Sequence, residues 1–215
     1  MSYKKVVVFL VLLLSLPLPL QAYDNKTCGI TRGHPLTNGY GPYDYTNPSH
    51  LNKIPIVLKH HFSSDVERLI RGVTNTDPRG DIDYTLRAIP NYHPALYAIS
   101  RLELRAKAAL KSGMVYRTAH YTADCYFKRA IYFQPRDGIA RMLYGLFLHK
   151  SGRLSEAEKV YGKALELADD NAELHYNVGL LYLEMKKIDK AKMHAEMAEE
   201  LGYPLKGLQK RLSRY

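Results

Sequence analysis

Between residues 138 and 205 the chain repeats one hydrophobic pattern, with residues 138–171 and 172–205 aligning at a spacing of 34. Gly145 falls on Gly179, Leu148 on Tyr182, Ala157 on Ala191, Ala164 on Ala198, and Leu167 on Leu201. Each block has a helical period, a short break (Ser151-Gly152-Arg153, then Lys186-Lys187) and a second helical period. A fixed period of this length marks stacked helical hairpins, each unable to bury its apolar face alone. Two antiparallel helices approach closely only where the crossing residues are small, and Gly145, Ala157, Gly179 and Ala191 hold those places. Leu148, Tyr161 and Tyr182 are then predicted to fill the gaps to neighbouring helices. One period earlier, Ala123, Phe127, Ala130 and Pro135 match the second half of another unit, but Lys111 stands where its small residue belongs. Residues 94–110 still predict a helix, so that unit carries a lengthened loop around 111–119. Farther back, 66–71 and 81–89 predict a less regular helix pair ended by Pro90.

The two ends differ from this pattern. Residues 1–22 have Lys4 and Lys5, an apolar run from Val6 to Leu20, and Gln21-Ala22 before Tyr23, the layout of a cleaved secretory signal peptide. An uncleaved anchor is disfavoured, because the run is shorter than the ~20 residues of a spanning helix and Pro17 and Pro19 interrupt it. Residues 23–55 are rich in glycine and proline, which argues against regular structure. Tyr40, Tyr43 and Tyr45 give this stretch aromatic faces to bury against a groove, and the alternative is a mobile tail. Residues 56–119 form a divergent helical region, 120–205 the clear repeats, and 206–215 a capping helix. In that cap Leu205, Leu208 and Leu212 share one stripe; a basic amphipathic helix for membrane surfaces is the alternative reading.

Charge and cysteine content narrow the function. Without the leader the chain has 29 basic and 21 acidic residues, a net +8. The last thirteen residues carry Lys206, Lys210, Arg211 and Arg214 and no acid. That balance suits an acidic partner or an anionic surface. Nucleic acid is excluded by export and by the lack of a recognisable binding module. Two cysteines in an exported chain predict pairing. Cys125 sits between the packing positions Ala123 and Phe127 and so turns away from the contact within its hairpin. A Cys28–Cys125 disulfide would staple the aromatic front segment to the helices, the alternative being two separate thiols.

Candidate chemistry is sparse. His60 and His61 are adjacent and point apart on a helix, and no His-Glu-x-x-His occurs. His149, His175 and His194 fall at different repeat positions and read as surface or groove residues. Asp77, Asp81 and Asp83 lack the glutamate and ligand alternation of a calcium loop; Asp81 reads as a helix cap. Asn25-Lys26-Thr27 has the glycosylation pattern, and Arg79-Gly80-Asp81 is too short to signify adhesion. No phosphate loop, nucleophile elbow or Cys/His catalytic spacing appears. The expectation is a protein that is not an enzyme, with no cofactor, no metal and no small-molecule substrate.

The run Ala172-Glu-Leu-His-Tyr-Asn-Val-Gly179-Leu-Leu-Tyr182, followed by Ala191, Ala195 and Ala198, resembles the tetratricopeptide repeat family, whose unit is aromatic-x2-Leu-Gly-x2-Tyr and then Ala, Phe or Tyr, Ala and Pro. The recognisable coverage is residues 120–202, and the whole chain looks like small exported bacterial members. The resemblance implies an all-α, right-handed helical-hairpin solenoid with an irregular front segment and a C-terminal capping helix. It also implies a concave groove lined by first helices: Ile139, Met142, Leu143, Leu146 and His149 in one repeat, and Tyr176, Asn177, Leu180 and Leu183 in the next. Of these, Met142, Leu146, His149, Tyr176, Asn177 and Leu180 are the candidate partner-binding residues. Asn177 stands where some relatives grip a peptide carboxylate, but Met142 and Tyr176 replace the lysines that would assist. The implied function is a protein–protein interaction scaffold in the periplasm or cell envelope, holding a peptide or helix. The alternative is an accessory that uses its basic tail on anionic lipid or polysaccharide. A further alternative is that the front segment fills the groove itself.

Overall fold

The computed structural model describes residues 27–113 and 120–215. The signal-peptide expectation for 1–22 and most of the lengthened loop around 111–119 lie outside the described residues. The 34-residue rhythm appears as two stacked hairpins, α6 (Gly138–Lys150) with α7 (Leu154–Leu165) and α8 (Ala172–Glu184) with α9 (Ile188–Glu200). Before them α4 (His93–Lys111) packs on α5 (Ala123–Phe133), and α10 (Gly207–Leu212) closes the far end. This is the helical-hairpin solenoid that the spacing predicts, and the described residues contain no strand.

The repeat reaches polar details that the hydrophobic pattern does not display. Asp137 and Asn171, also 34 apart, cap the first helices: Ala140 N–H donates to Asp137 Oδ1 at 2.9 Å and Leu174 N–H to Asn171 Oδ1 at 2.8 Å. Arg153 reaches back to Asp124 on α5 at 2.7 Å, and Lys187, one period later, reaches back to Glu158 on α7 at 2.8 Å. Each tie sits near the surface and contributes at most ~1 kcal/mol, but the pair fixes the register of successive hairpins. The turns also correspond: Gly152 has φ +75° and Lys186, its counterpart, φ +59°. That conformation is free for glycine and costs about 1 kcal/mol for lysine.

Packing at the crossings explains the small residues. A Cβ on Gly145 would lie 2.6 Å from two ring carbons of Tyr161, which is 1% exposed. In the next hairpin Ala195 occupies the position of Tyr161, and the space over Gly179 is taken instead by Leu208 of α10. Leu208 and Leu212 are buried as the cap pattern predicts, whereas Leu205 precedes the helix and is 55% exposed.

The divergent region departs from expectation. The segment around 66–71 forms only the one-turn helix α2 (Ser64–Glu67), because Leu69 takes φ +60° and the Leu69 and Ile70 N–H groups turn back onto the Val66 and Asp65 carbonyls. The partner of α3 (Arg79–Ala88) is α1 (Ile54–His61), which begins inside the proline-bearing stretch because Pro55 fits the first turn of a helix. Asp81 is not the cap of α3. It lies within the first turn, where it accepts from the Val73 N–H at 2.9 Å and contacts His61 Nδ1 at 3.1 Å.

The front segment is held at three points. Tyr40, Tyr43 and Tyr45 pack around Ile54, Val57, Ala88 and Ile89, with Tyr45 edge-on to Tyr92 at 4.9 Å. Their packing partners are thus α1, α3 and the start of α4, so the tyrosines do not fill the groove of the later repeats. Asn91 forms the second point, fully buried, donating from Nδ2 to Asp44 at 2.8 Å and to Asp137 at 3.0 Å and accepting the Tyr45 N–H at 2.9 Å. Burial alone would raise the Asp44 carboxyl, but hydrogen bonds from Thr46, Asn91 and Gln134 outweigh it and hold the group below its ordinary range. The third point is a disulfide between Cys28 and Cys125, Cα–Cα 5.0 Å, which anchors residue 28 on α5.

Candidate functional site

The first helices α4, α6 and α8 lie side by side, because each hairpin stacks on the one before. Side chains that point away from the second helices share one face. On α6, Ile139, Leu143 and Leu146 are half-buried and lean on the core, while Met142 is nearly closed off at 3% exposure. His149, half-buried at the end of α6, places Nε2 3.0 Å from a carboxylate oxygen of Glu184 at the end of α8. On α8, Asn177 is 7% exposed and its Nδ2 has no hydrogen-bond partner. An unpaired buried amide donor is costly, on the order of 1–3 kcal/mol, so it marks a place where an acceptor would be welcome.

The other two candidates sit differently. Tyr176 lies against Tyr203 with ring centroids 4.4 Å apart, and both Tyr176 and Leu180 pack on the cluster formed by Leu208 and Leu212. The capping helix therefore covers part of the α8 face. The six candidates divide into an open row on α6 (Leu146, His149), two buried residues (Met142, Asn177) and a pair leaning on the cap (Tyr176, Leu180).

Two histidines correct the expectation of surface or groove positions. His175 and His194 are each 5% exposed and meet at Nδ1···Nδ1 2.9 Å. His175 Nε2 lies 2.7 Å from the Asp169 carbonyl, which can only accept, so Nε2 carries the His175 proton and its Nδ1 is the acceptor. His194 then donates from Nδ1. Burial, with the neighbouring His175 and Lys190, pulls the His194 pKa down to about 4. A readable signal existed: His175 holds the aromatic position of the repeat, four residues before Gly179.

This burial makes stability depend on pH with a definite sign. In the unfolded chain His194 takes up a proton near pH 6.5, whereas in the folded chain its ring resists until about pH 4. The stability due to neutral His194 is complete above pH 6.5 and is lost as pH falls through that window, about 3 kcal/mol in all. Urea midpoints at pH 7 and pH 4.5 measure it. The difference between the two midpoints is expected to shrink in His194→Gln, and an unchanged difference would show that carboxylates alone set the acid sensitivity.

Comparison with known proteins places these features. A family model described as TPR repeat matches residues 145–186, and one described as Tetratricopeptide repeat matches residues 172–201. Over 65 residues, 30% of the chain, the sequence is 37% identical to protein O-mannosyl-transferase TMTC3 of Mus musculus, of which it spans 7%. Two solved structures are similar. TTC0263, a thermophilic TPR protein of Thermus thermophilus, is 21% identical, with 64% of this chain and 70% of that one covered and a TM-score of 0.48. YrrB, a TPR protein with an unusual peptide-binding site, is 18% identical, with 78% and 92% covered and a TM-score of 0.38.

Proposed function

Since residues 145–201 make this chain a tetratricopeptide-repeat protein, we propose that it is a non-catalytic scaffold that holds a peptide or helix of a partner protein on the face of α6 and α8. The observations that support this reading are the half-buried row Ile139, Leu143 and Leu146 on α6 and, on the neighbouring helix α8, Asn177 with its unpartnered amide. An amphipathic segment would cover the apolar row and offer a carbonyl or carboxylate to Asn177. His149, already engaged with Glu184, would bound that row at its end. Tyr176 and Leu180 then support the face from beneath the cap. The cysteine pair suits an oxidising compartment, and the proposed setting is the periplasm or an equivalent envelope space. Among the described residues no helix is long and apolar enough to cross a membrane.

The test is capture of partners from an extract of that compartment by the disulfide-bonded chain, compared with Leu146→Asp. The charge placed in the row is expected to weaken the captured complex by about 2 kcal/mol, or roughly thirtyfold, with the helical circular dichroism unchanged. Binding that ignores Leu146→Asp and fades steeply with added salt would favour the basic surface and overturn the groove.

A further inference from the structure

A second concavity lies away from this face and uses none of its residues. Residues 29–37 of the front segment stand before α5 and leave a cavity of 490 Å³, lined by Thr31, His34 and Thr37, by Arg87 of α3, and by Tyr121 and Arg129. Its wall is firmly held. Tyr132 on α5 donates its hydroxyl to the His34 carbonyl at 2.7 Å and to that of Thr31 at 3.1 Å, Leu36 is buried, and Cys28 is bonded to Cys125.

Arg129 is the unusual member. It is 5% exposed, yet among the described residues no carboxylate lies within ion-pair distance of it. Its Nη1 donates to the Cys28 carbonyl at 3.1 Å and more weakly to that of Gly29 at 3.5 Å. The guanidinium carbon stands 5.1 Å from the Tyr121 ring centroid, and Nε is buried with no acceptor. Carbonyl dipoles and a ring face offset only part of the cost of burying a full charge. The neighbouring cation does not release a counter-ion. Arg87 takes one oxygen of Asp83 at 3.0 Å, and the other oxygen accepts the Tyr126 hydroxyl at 2.6 Å. Asp83 therefore serves Arg87 and Tyr126, Arg129 has no carboxylate in ion-pair range among the described residues, and the cavity between the two arginines is electropositive.

We propose that this cavity is a binding site for a small oxyanion-bearing molecule, a carboxylate or a phosphate ester, seated against Arg129 and Arg87. Arginine suits this role because its planar fork matches the paired oxygens of both groups. The threonine hydroxyls and His34 supply further hydrogen bonds. The volume lies in the range of ligand pockets and leaves room for an organic body beside the anionic group.

The test is a titration of the full disulfide-bonded chain with inorganic phosphate and, separately, with malonate. The arginine Nε–H resonances are followed by NMR at constant ionic strength, with chloride as the control. A saturable shift of the Arg129 signal is expected with phosphate, malonate or both, and the stronger of the two identifies the ligand's anionic group. Arg87→Gln is expected to weaken that binding about tenfold, while Lys128→Gln, on the same helix but outside the cavity, leaves it unchanged. Arg129→Gln abolishes it, and should that variant fail to fold, Arg87→Gln and Thr37→Val still report. A linear drift no different from chloride, or equal binding by wild type, Arg87→Gln and Thr37→Val, overturns the site and leaves Arg129 a purely structural clamp.

Discussion

Gly145→Leu is expected to cost more than ~3 kcal/mol, at the upper end of what overpacking does to a filled core. Even the first added carbon would lie 2.6 Å from the ring of Tyr161, which is buried between α6 and α7 and has no room to move. The remaining carbons would push the two helices of the hairpin apart. Its counterpart, Gly179→Ala, is expected to change stability by less than ~1 kcal/mol. The added methyl meets the flexible end of Leu208 on a six-residue terminal helix, and alanine recovers up to ~1 kcal/mol of helix propensity. Urea unfolding of both variants distinguishes a shared spacing rule from a local packing effect. A Gly145→Leu protein with an unaltered midpoint would mean that the hairpins do not cross at this glycine.

The second large effect concerns the staple. Replacing both Cys28 and Cys125 with serine removes a link between residues separated by 97 positions. Loop-closure entropy for a span of that size is on the order of 4–5 kcal/mol, an upper figure because residual structure in the unfolded chain lowers it. The loss should be felt unevenly. The hairpins α6–α9 keep their own core, whereas residues 27–37 lose their tie to α5, and the Arg129 contacts to Cys28 and Gly29 loosen with them. Hydrogen exchange on the oxidised protein and the double-serine variant reads this directly. Faster exchange confined to the front segment and α5, with a lower melting temperature, is the expected result. Equal protection and equal melting would show that Asn91 and the tyrosine cluster hold the segment without the disulfide.

Much of the back half was legible in the order of residues because its determinants lie close together in the chain. Gly145 with Ala157, and Gly179 with Ala191, are separated by one turn and recur at a fixed step, so a steric rule about small residues was enough to place the hairpins. The capping helix was legible from Leu208 and Leu212 for the same reason. On the face of α6, Ile139, Leu143 and Leu146 lie half-buried but Met142 is closed off, and the resemblance could not say that α10 would lean on Tyr176 and Leu180. The front half was not legible in this way. Asn91 contacts partners 46 and 47 residues distant, Asp137 and Asp44, and no local pattern announces such a hub. The short α2 ended early because Leu69 adopts a left-handed turn, a backbone choice that its residue type argues against. The histidine pair escaped because each ring alone resembles a polar surface residue, and only their meeting across α8 and α9 makes burial tolerable.

The sequence by itself determined the helical hairpins, their 34-residue step and the residues that permit close crossing, since these depend on contacts between near neighbours repeated along the chain. The tertiary structure alone decided what fills each crossing. Tyr161 fills the space over Gly145 from within its own hairpin, while Ala195 leaves the equivalent space empty and Leu208 enters it from the cap. It also decided that Arg129 should stand buried beside the front segment with no carboxylate in ion-pair range among the described residues. The physical reason is the same in both cases. Filling a void or isolating a charge depends on which distant surfaces come together, and a periodic pattern carries no record of that meeting.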